Sequence, residues 1–230
     1  MIVNNDKPLR PAQFTEEKIL TSILDKTFSP GSNLPSERVL AEKLGVTRPT
    51  VRETLQGLAK EGWIEIRHGK PTRVNDYWEK GGLGMLGTMA KYAGFLPEGF
   101  ITNLLEFRLN LLPSCAQAAA GNAPDIFIEH LGRAKELRDD SNAFALYDWE
   151  LQELMVKHCR NIIYPLVLND FSEVYKRLAS LYFSLEIARK SSCRYYEAFL
   201  AAVQDSGKGV ENIVRGVFEE SIRIWNQVQT

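Results

Sequence analysis

Residues 33–79 read NLPSERVLAEKLGVTRPTVRETLQGLAKEGWIEIRHGKPTRVNDYWE, and the punctuation of this stretch sets the architecture of the N-terminal third. Ser36 is a good N-cap, with Glu37 in the first turn, and Val39, Leu40 and Leu44 form an apolar stripe that stops at Gly45. Thr47 can cap the next helix, the third in the chain, where Pro49 is tolerated in the first turn and Val51, Leu55 and Leu58 recur at helical spacing until Gly62. The period then changes: residues 63–67 alternate, 68–71 have turn chemistry, and 72–74 can return as a second strand. Upstream, Phe14, Ile19, Ile23, Leu24 and Phe28 predict a helix over 14–27, ended by Ser29, Pro30 and Gly31. The expected order is three helices and a β-hairpin.

The charges add a direction. The chain of 230 residues carries 28 Lys and Arg against 29 Asp and Glu, net -1, which by itself predicts no polyanion partner. Residues 1–75, however, hold 12 basic and 9 acidic residues, net +3, leaving 16 and 20 for the remainder, net -4. On the third helix Arg48 and Arg52 are four apart and share a face opposite Val51, Leu55 and Leu58. A helix that enters the major groove reads base edges with its N-terminal residues, where arginine can fork onto guanine O6 and N7. Thr47 and Thr50 are placed for phosphate or a thymine methyl. Arg38 on the second helix, and Arg67, His68 and Lys70 in the hairpin, would flank that face. Gly69 at the tip would let backbone approach DNA closely. The reading is a winged helix-turn-helix.

Beyond residue 75 the pattern is helical throughout, with candidates over 98–120, 124–138, 142–159, 164–183, 186–204 and 210–227 and short breaks between them. The fold class expected is mainly α: a winged helix-turn-helix over 1–75, a linker with a short helix over 76–97, and a bundle of six to seven helices over 98–230. Gly82-Leu83-Gly84-Met85-Leu86-Gly87 matches GxGxxG literally, but no strand precedes it, so it reads as a flexible joint rather than a nucleotide loop. Cys115, Cys159 and Cys193 are far apart in sequence and predict neither disulfides nor a zinc ribbon. His68, His130 and His158 are too few for a metal site in the bundle, and the last two read as surface or capping residues. No metal, cofactor or catalytic motif is expected, and no enzyme. The first ten residues lack a signal-peptide core and no apolar run suits a membrane span, so a cytoplasmic protein is expected. Arg108 stands out, because a charge in the mainly apolar stretch 104–112 needs a partner such as a carboxylate, a phosphate or a thioester-bearing ligand.

The runs LPSER, GVTR-x-TVRE and GW-x-x-x-x-HGKPT-x-VN, standing in that order, resemble the head of the GntR superfamily, and of its FadR branch in particular. The resemblance extends through LLEFRLNL, FALYD and IIYPLVLND to the region of Trp225, and is strongest to fatty-acid-responsive regulators. It implies operator contacts from Arg38, Thr47, Arg48, Thr50, Arg52, His68 and Gly69, with Lys70 beside them, on a pseudo-palindromic double-stranded operator bound by a homodimer. It also implies that long-chain acyl-CoA binds the helical body and releases DNA, with Leu105, Arg108, Tyr182, Tyr196, Arg215, Ser221 and Trp225 in or beside the cavity. Three positions depart from that pattern. Pro49 replaces a threonine, Phe218 stands where those regulators carry glycine on the last helix, and Gln152 replaces an aromatic. Phe218 is expected either to block the channel or to shorten it, and the alternative to an acyl-CoA sensor is a regulator of the same type with a different small ligand or with a closed pocket and no effector. In relatives that hold a metal in the bundle the pattern is D-x-x-F-H; here it reads Asp148-Trp149-Glu150-Leu151-Gln152.

Overall fold

A computed structural model describes residues 10–229, so the signal-peptide reading of the first residues lies largely outside the described part. The chain divides into two compact units, one through Phe95 and one from Leu96. The first contains α1 (Pro11–Leu24), α2 (Glu37–Leu44), α3 (Arg48–Glu61), β1 (Ile64–Glu65), β2 (Arg73–Val74), α4 (Tyr77–Lys80) and α5 (Met85–Lys91).

Both helices of the turn start and stop where their caps predict. Ser36 Oγ accepts from the Val39 N–H (3.4 Å) and Thr47 Oγ1 from the Thr50 N–H (3.3 Å), satisfying donors that a helix start leaves open. Pro49 lies in the first turn of α3, where its missing N–H costs nothing. α1 begins three residues earlier than its apolar spacing predicts, because Pro11 occupies its first turn. Its Ile19, Leu20 and Ile23 bury against Val51, Leu55 and Leu58 of α3.

The hairpin pairs Ile64 with Val74 and Glu65 with Arg73, which puts Ile64 and Val74 inside. It also gains an edge that the sequence does not announce. Residues 31–34 run along β2, with Gly31 N–H to Val74 O (2.8 Å), Val74 N–H to Ser32 O (2.9 Å) and Leu34 N–H to Thr72 O (2.8 Å). Proline and glycine on either side hide this segment from any alternation. Trp63 is fully buried, its indole donating to Glu61 (3.1 Å) and its ring 5.1 Å from that of Tyr77. Thr88 on α5 donates to the same Glu61 oxygen (3.3 Å). The glycine-rich stretch therefore folds onto the hairpin as two helices, and the GxGxxG run is partly helical, not an open joint.

The second unit holds α6 (Phe100–Asn122), α7 (Pro124–Gly132), α8 (Ser141–His158), α9 (Ile163–Tyr182), α10 (Glu186–Gln204) and α11 (Val210–Gln229). α6 packs on α11 and α8, α8 on α9, and α10 on α11 and α7. Ala116, Ala119 and Ala120 make the close-packed stripe of α6. The helix expected over 124–138 stops at Gly132 and continues only as a 3-10 turn, Ala134–Glu136. No helix among the described residues is long and apolar enough to cross a membrane. His130 is not a surface residue: it is 3% exposed, its ring stacks 4.3 Å from that of Tyr147, and its Nε2 has no partner among the described residues. Burial, then Arg133, holds its pKa below the ordinary value. Cys115 and Cys159, remote in sequence, are neighbours in space, both as free thiols, and burial pushes the Cys115 thiol up.

Two outcomes follow from this packing. A Cβ on Gly81 would meet Met85 Sδ at 2.0 Å and the Tyr77 carbonyl oxygen at 2.4 Å, whereas nothing lies within 4 Å of one on Gly82. Gly81→Ala should cost about 1–3 kcal/mol in urea unfolding while Gly82→Ala stays within about 0.5 kcal/mol. For His130, a lowered folded pKa means the unfolded chain binds the extra proton first. Stability is full above the ordinary value of 6.5 and is lost as pH falls through the lowered folded value. His130→Gln should flatten urea midpoints across that acidic window; an unchanged slope would assign it to other groups.

Candidate nucleic-acid interface and ligand cavity

The first turn of α3 and the hairpin tip both carry exposed basic side chains. Arg38, Thr47, Arg48, Arg52, His68, Gly69 and Lys70 are all exposed, and Thr50 is half-buried. The arginines have different fates. Arg52 forks onto Glu37 of α2, donating Nε to one oxygen (3.0 Å) and Nη2 to the other (2.6 Å), and this holds the Glu37 carboxyl below its usual pKa. Arg38 pairs with Glu42 one turn along (2.7 Å), a contact that both exposed side chains can give up cheaply. Arg48 forms no ion pair among the described residues. The Thr47 and Thr50 hydroxyls lie 2.8 Å apart.

Arg67 does not flank the face as its charge suggests. Its Nη2 donates to Asn33 Oδ1 and to the Pro71 carbonyl, both at 3.0 Å, so it braces the base of the wing against residues 31–34. The turn closes with Lys70 N–H on the Arg67 carbonyl (3.2 Å). Gly69 takes a φ of +67°, with open space where a Cβ would stand, so the tip presents bare backbone in a hand that only glycine adopts freely.

In the second unit a cavity opens among α6, α8, α9, α10 and α11, with about 920 Å³ of space including its solvent-open part. Of the residues that the resemblance places there, Leu105, Arg108, Tyr182, Ser221 and Trp225 line it. Tyr196 is fully buried behind the wall, and Arg215 pairs with Glu211 on the half-exposed side of α11 (3.2 Å). Tyr182 donates to Ser221 (3.0 Å), which donates on to Val217 O (2.8 Å). Burial pushes the Tyr182 phenol up to about 12.

The partner that Arg108 requires is inside the protein. Its Nη2 donates to Asp148 Oδ2 (3.3 Å) and its Nε to Gln152 Oε1 (3.1 Å). The same Asp148 oxygen accepts from Gln152 Nε2 (2.7 Å) and the Tyr175 hydroxyl (2.6 Å), and its other oxygen accepts from Tyr196 (3.3 Å). Burial first, then Asp148, raises the Tyr175 and Tyr196 pKa values, so both remain donors. The guanidinium carbon lies 5.2 Å from the Tyr175 ring centre and 4.8 Å from that of Phe218. Phe218 therefore covers a cation, and Gln152 links both charges where an aromatic side chain could not. Two fully buried polar atoms of lining residues, Tyr195 Oη and Trp225 Nε1, have no partner among the described residues. Glu37, Asn33, Tyr175 and Tyr195 were not singled out from the sequence for these roles, because each acquires its role from a residue far along the chain.

Comparison with known proteins places both units. Residues 11–74 match the family described as bacterial regulatory proteins, gntR family, and residues 75–230 match the FadR C-terminal domain. The chain belongs to the GntR family and to its FadR branch. It is a transcriptional regulator, not an enzyme. This GntR-family chain is 40% identical over 223 residues to a Shewanella protein (strain ANA-3) named fatty acid metabolism regulator protein, covering 95% of this chain and 91% of the other. A protein of the same name from Klebsiella pneumoniae is 40% identical over 225 residues, covering 97% and 94%. The solved structure of Lar from Listeria monocytogenes shares the fold at 11% identity, with a TM-score of 0.61, covering 96% of this chain and 99% of that one.

The knot around Asp148 should respond unequally to loss of its two charges. Asp148→Leu strands Arg108 with one neutral partner and two rings, whereas Arg108→Met leaves the carboxylate three donors. We expect Asp148→Leu to cost about 3–5 kcal/mol, Arg108→Met less, and the double variant to regain most of the loss. Urea midpoints of the three proteins check this; an additive double variant would refute it.

Proposed function

We propose that this regulator binds a pseudo-palindromic operator as a homodimer in the cytoplasm, controls genes of fatty-acid metabolism, and releases DNA when a fatty acyl-CoA occupies the bundle cavity. Its domains would be a DNA-binding head over 1–75, a linker over 76–97 and an effector and dimerisation body over 98–230. The observation that carries the DNA reading is the first turn of α3, where Arg48 is exposed without an ion pair beside the Thr47 cap. Arg52 and Arg38 would complete base and phosphate contacts in the major groove. Thr47 and Thr50 would meet phosphate, and His68, Gly69 and Lys70 would enter the minor groove.

The names of the relatives support the regulated process, and the mainly apolar lining of the cavity supports an acyl chain. The resemblance points to long-chain acyl-CoA among such thioesters. An effector acts only by binding one arrangement of the regulator more tightly than the other, so its affinity must fall when operator is bound.

The test is fluorescence anisotropy of a palindromic operator from a fatty-acid gene, at two salt concentrations, with acyl-CoA or free CoA. Release by acyl-CoA alone supports the whole reading; tight, salt-sensitive binding indifferent to every acyl-CoA keeps the regulator and removes the effector. Arg48→Ala should cost about 1–3 kcal/mol on operator and relax base preference, while Lys70→Ala should weaken operator and random DNA alike and reduce the salt slope by about 1. Equal losses on both DNAs for Arg48→Ala would overturn its base-reading role.

A further inference from the structure

Two hydrogen bonds fix α6 and α11 as antiparallel neighbours: Thr102 to Asn226 (2.8 Å), and the Glu211 N–H to Gln117 (3.2 Å). In that register Ile101 and Leu105 stand level with Trp225 and Ser221, Arg108 comes next, and Leu111 and Leu112 lie beyond it near Val217. At the level of Arg108, side chains of the lining from four helices meet in one cluster. Arg108 reaches from α6 to Asp148 and Gln152 on α8, between the rings of Tyr175 on α9 and Phe218 on α11. Phe218 is 5% exposed and the Asp148 and Arg108 side chains 9% and 18%, so the cluster is largely buried.

We infer that this cluster partitions the cavity for a ligand and, with Phe218 as its deciding residue, limits the effector to a medium-length acyl chain. The inference rests on the acyl-CoA reading above and sharpens it. The part of the lining between Trp225 and this cluster offers Ile101, Leu104 and Leu105 as apolar walls for a tail, with the Tyr182 and Ser221 hydroxyls already paired to each other. From Ile101 to Arg108 is seven residues of helix, about 10 Å, the length of roughly eight extended carbons. A chain of sixteen would have to displace the Phe218 ring and break a buried ion pair, and neither charge would find a substitute in a hydrocarbon tail. The charge state points the same way about the head group. Asp148 already neutralises Arg108, so the cavity holds no spare cation for a free carboxylate, and a neutral thioester fits where a fatty acid does not.

The experiment uses the full-length protein on its operator, titrated with straight-chain acyl-CoAs from about four to about eighteen carbons, the matching free acids and free CoA. The natural protein should be released best near about eight carbons, with about tenfold or more weaker release by sixteen, and no release by free acids. Phe218→Gly should move the optimum longer by about four carbons or more, and Phe218→Leu, which keeps an apolar side chain but removes the ring, by less. Each variant is first checked for its thermal transition and its operator affinity without ligand. If Phe218→Gly does not fold, Phe218→Leu and the profile of the natural protein still decide. An optimum at sixteen carbons or longer with Phe218 in place, or one optimum shared by all folded variants, overturns the partition while leaving an acyl-CoA sensor. Indifference of the natural protein to every chain length removes the acyl-CoA reading itself, and the partition's proposed role with it.

Discussion

The bundle is organised around one buried carboxylate. Asp148 accepts hydrogen bonds from Arg108 on α6, Gln152 on its own helix α8, Tyr175 on α9 and Tyr196 on α10, so a single side chain ties four helices together. An anion in an apolar interior is costly unless its lone pairs are met, and here both oxygens are. The arginine that balances it is itself desolvated, covered by two aromatic rings. The arrangement gains little net stability over a hydrocarbon core, but it tolerates only one register of the four helices, since a slip along any of them leaves a charge or a phenol unpaired. The cavity exists beside this knot because Arg108, Phe218 and Tyr175 are committed to one another rather than to filling space.

The head uses the same chemistry in the opposite environment. Three arginines within twenty residues, Arg48, Arg52 and Arg67, are free, forked onto a carboxylate, and folded against an amide and a carbonyl. The forked one still has its Nη1 donors for a partner while Glu37 fixes its orientation, so less side-chain entropy remains to be lost on contact. The internal one keeps the hairpin base in place, which leaves the exposed tip of His68, Gly69 and Lys70 on a rigid stem. A surface that binds a charged duplex needs its cations uncompensated, and a scaffold that holds them needs some compensated; the head divides its arginines between those tasks.

The fold of both units was legible because its signals are local. Ser36, Thr47, Gly45 and Gly62 bound the helices of the turn by cap chemistry that depends only on neighbours in sequence, and the alternation of residues 63–67 marks the hairpin. What was hidden is non-local. Residues 31–34 pair with β2 some forty positions away, and Gly81 is required by the approach of Met85 and Tyr77, not by a turn. His130 looks like a polar surface residue on α7 until Tyr147 is known to stack on it. In the cavity the need of Arg108 for a partner could be read, but which carboxylate would meet it could not, since Asp148 lies on another helix and carries no local mark. Phe218 and Gln152, visible as departures from a family pattern, gain a physical meaning only together, as the cover and the linker of that pair.

The cluster around Arg108 bears on how an effector could influence the head. The knot is fully paired, so a ligand gains nothing from it and must draw its differential affinity from groups left unsatisfied in the empty protein. Trp225 Nε1 and Tyr195 Oη have no partner among the described residues but are fully buried, so a ligand reaches them only in a rearranged bundle. A buried polar atom without a partner costs about 1–3 kcal/mol, and coupling between effector and operator sites is typically also about 1–3 kcal/mol. Satisfying even one of them in only one arrangement of the bundle would therefore supply the whole of an ordinary allosteric response. α6 contributes Arg108 to the knot and Ile101 and Leu105 to the cavity, and it begins at Phe100, five residues after the first unit ends. A change in how α6 packs against α11 is thus the shortest covalent route by which occupancy of that cavity can be felt in the head.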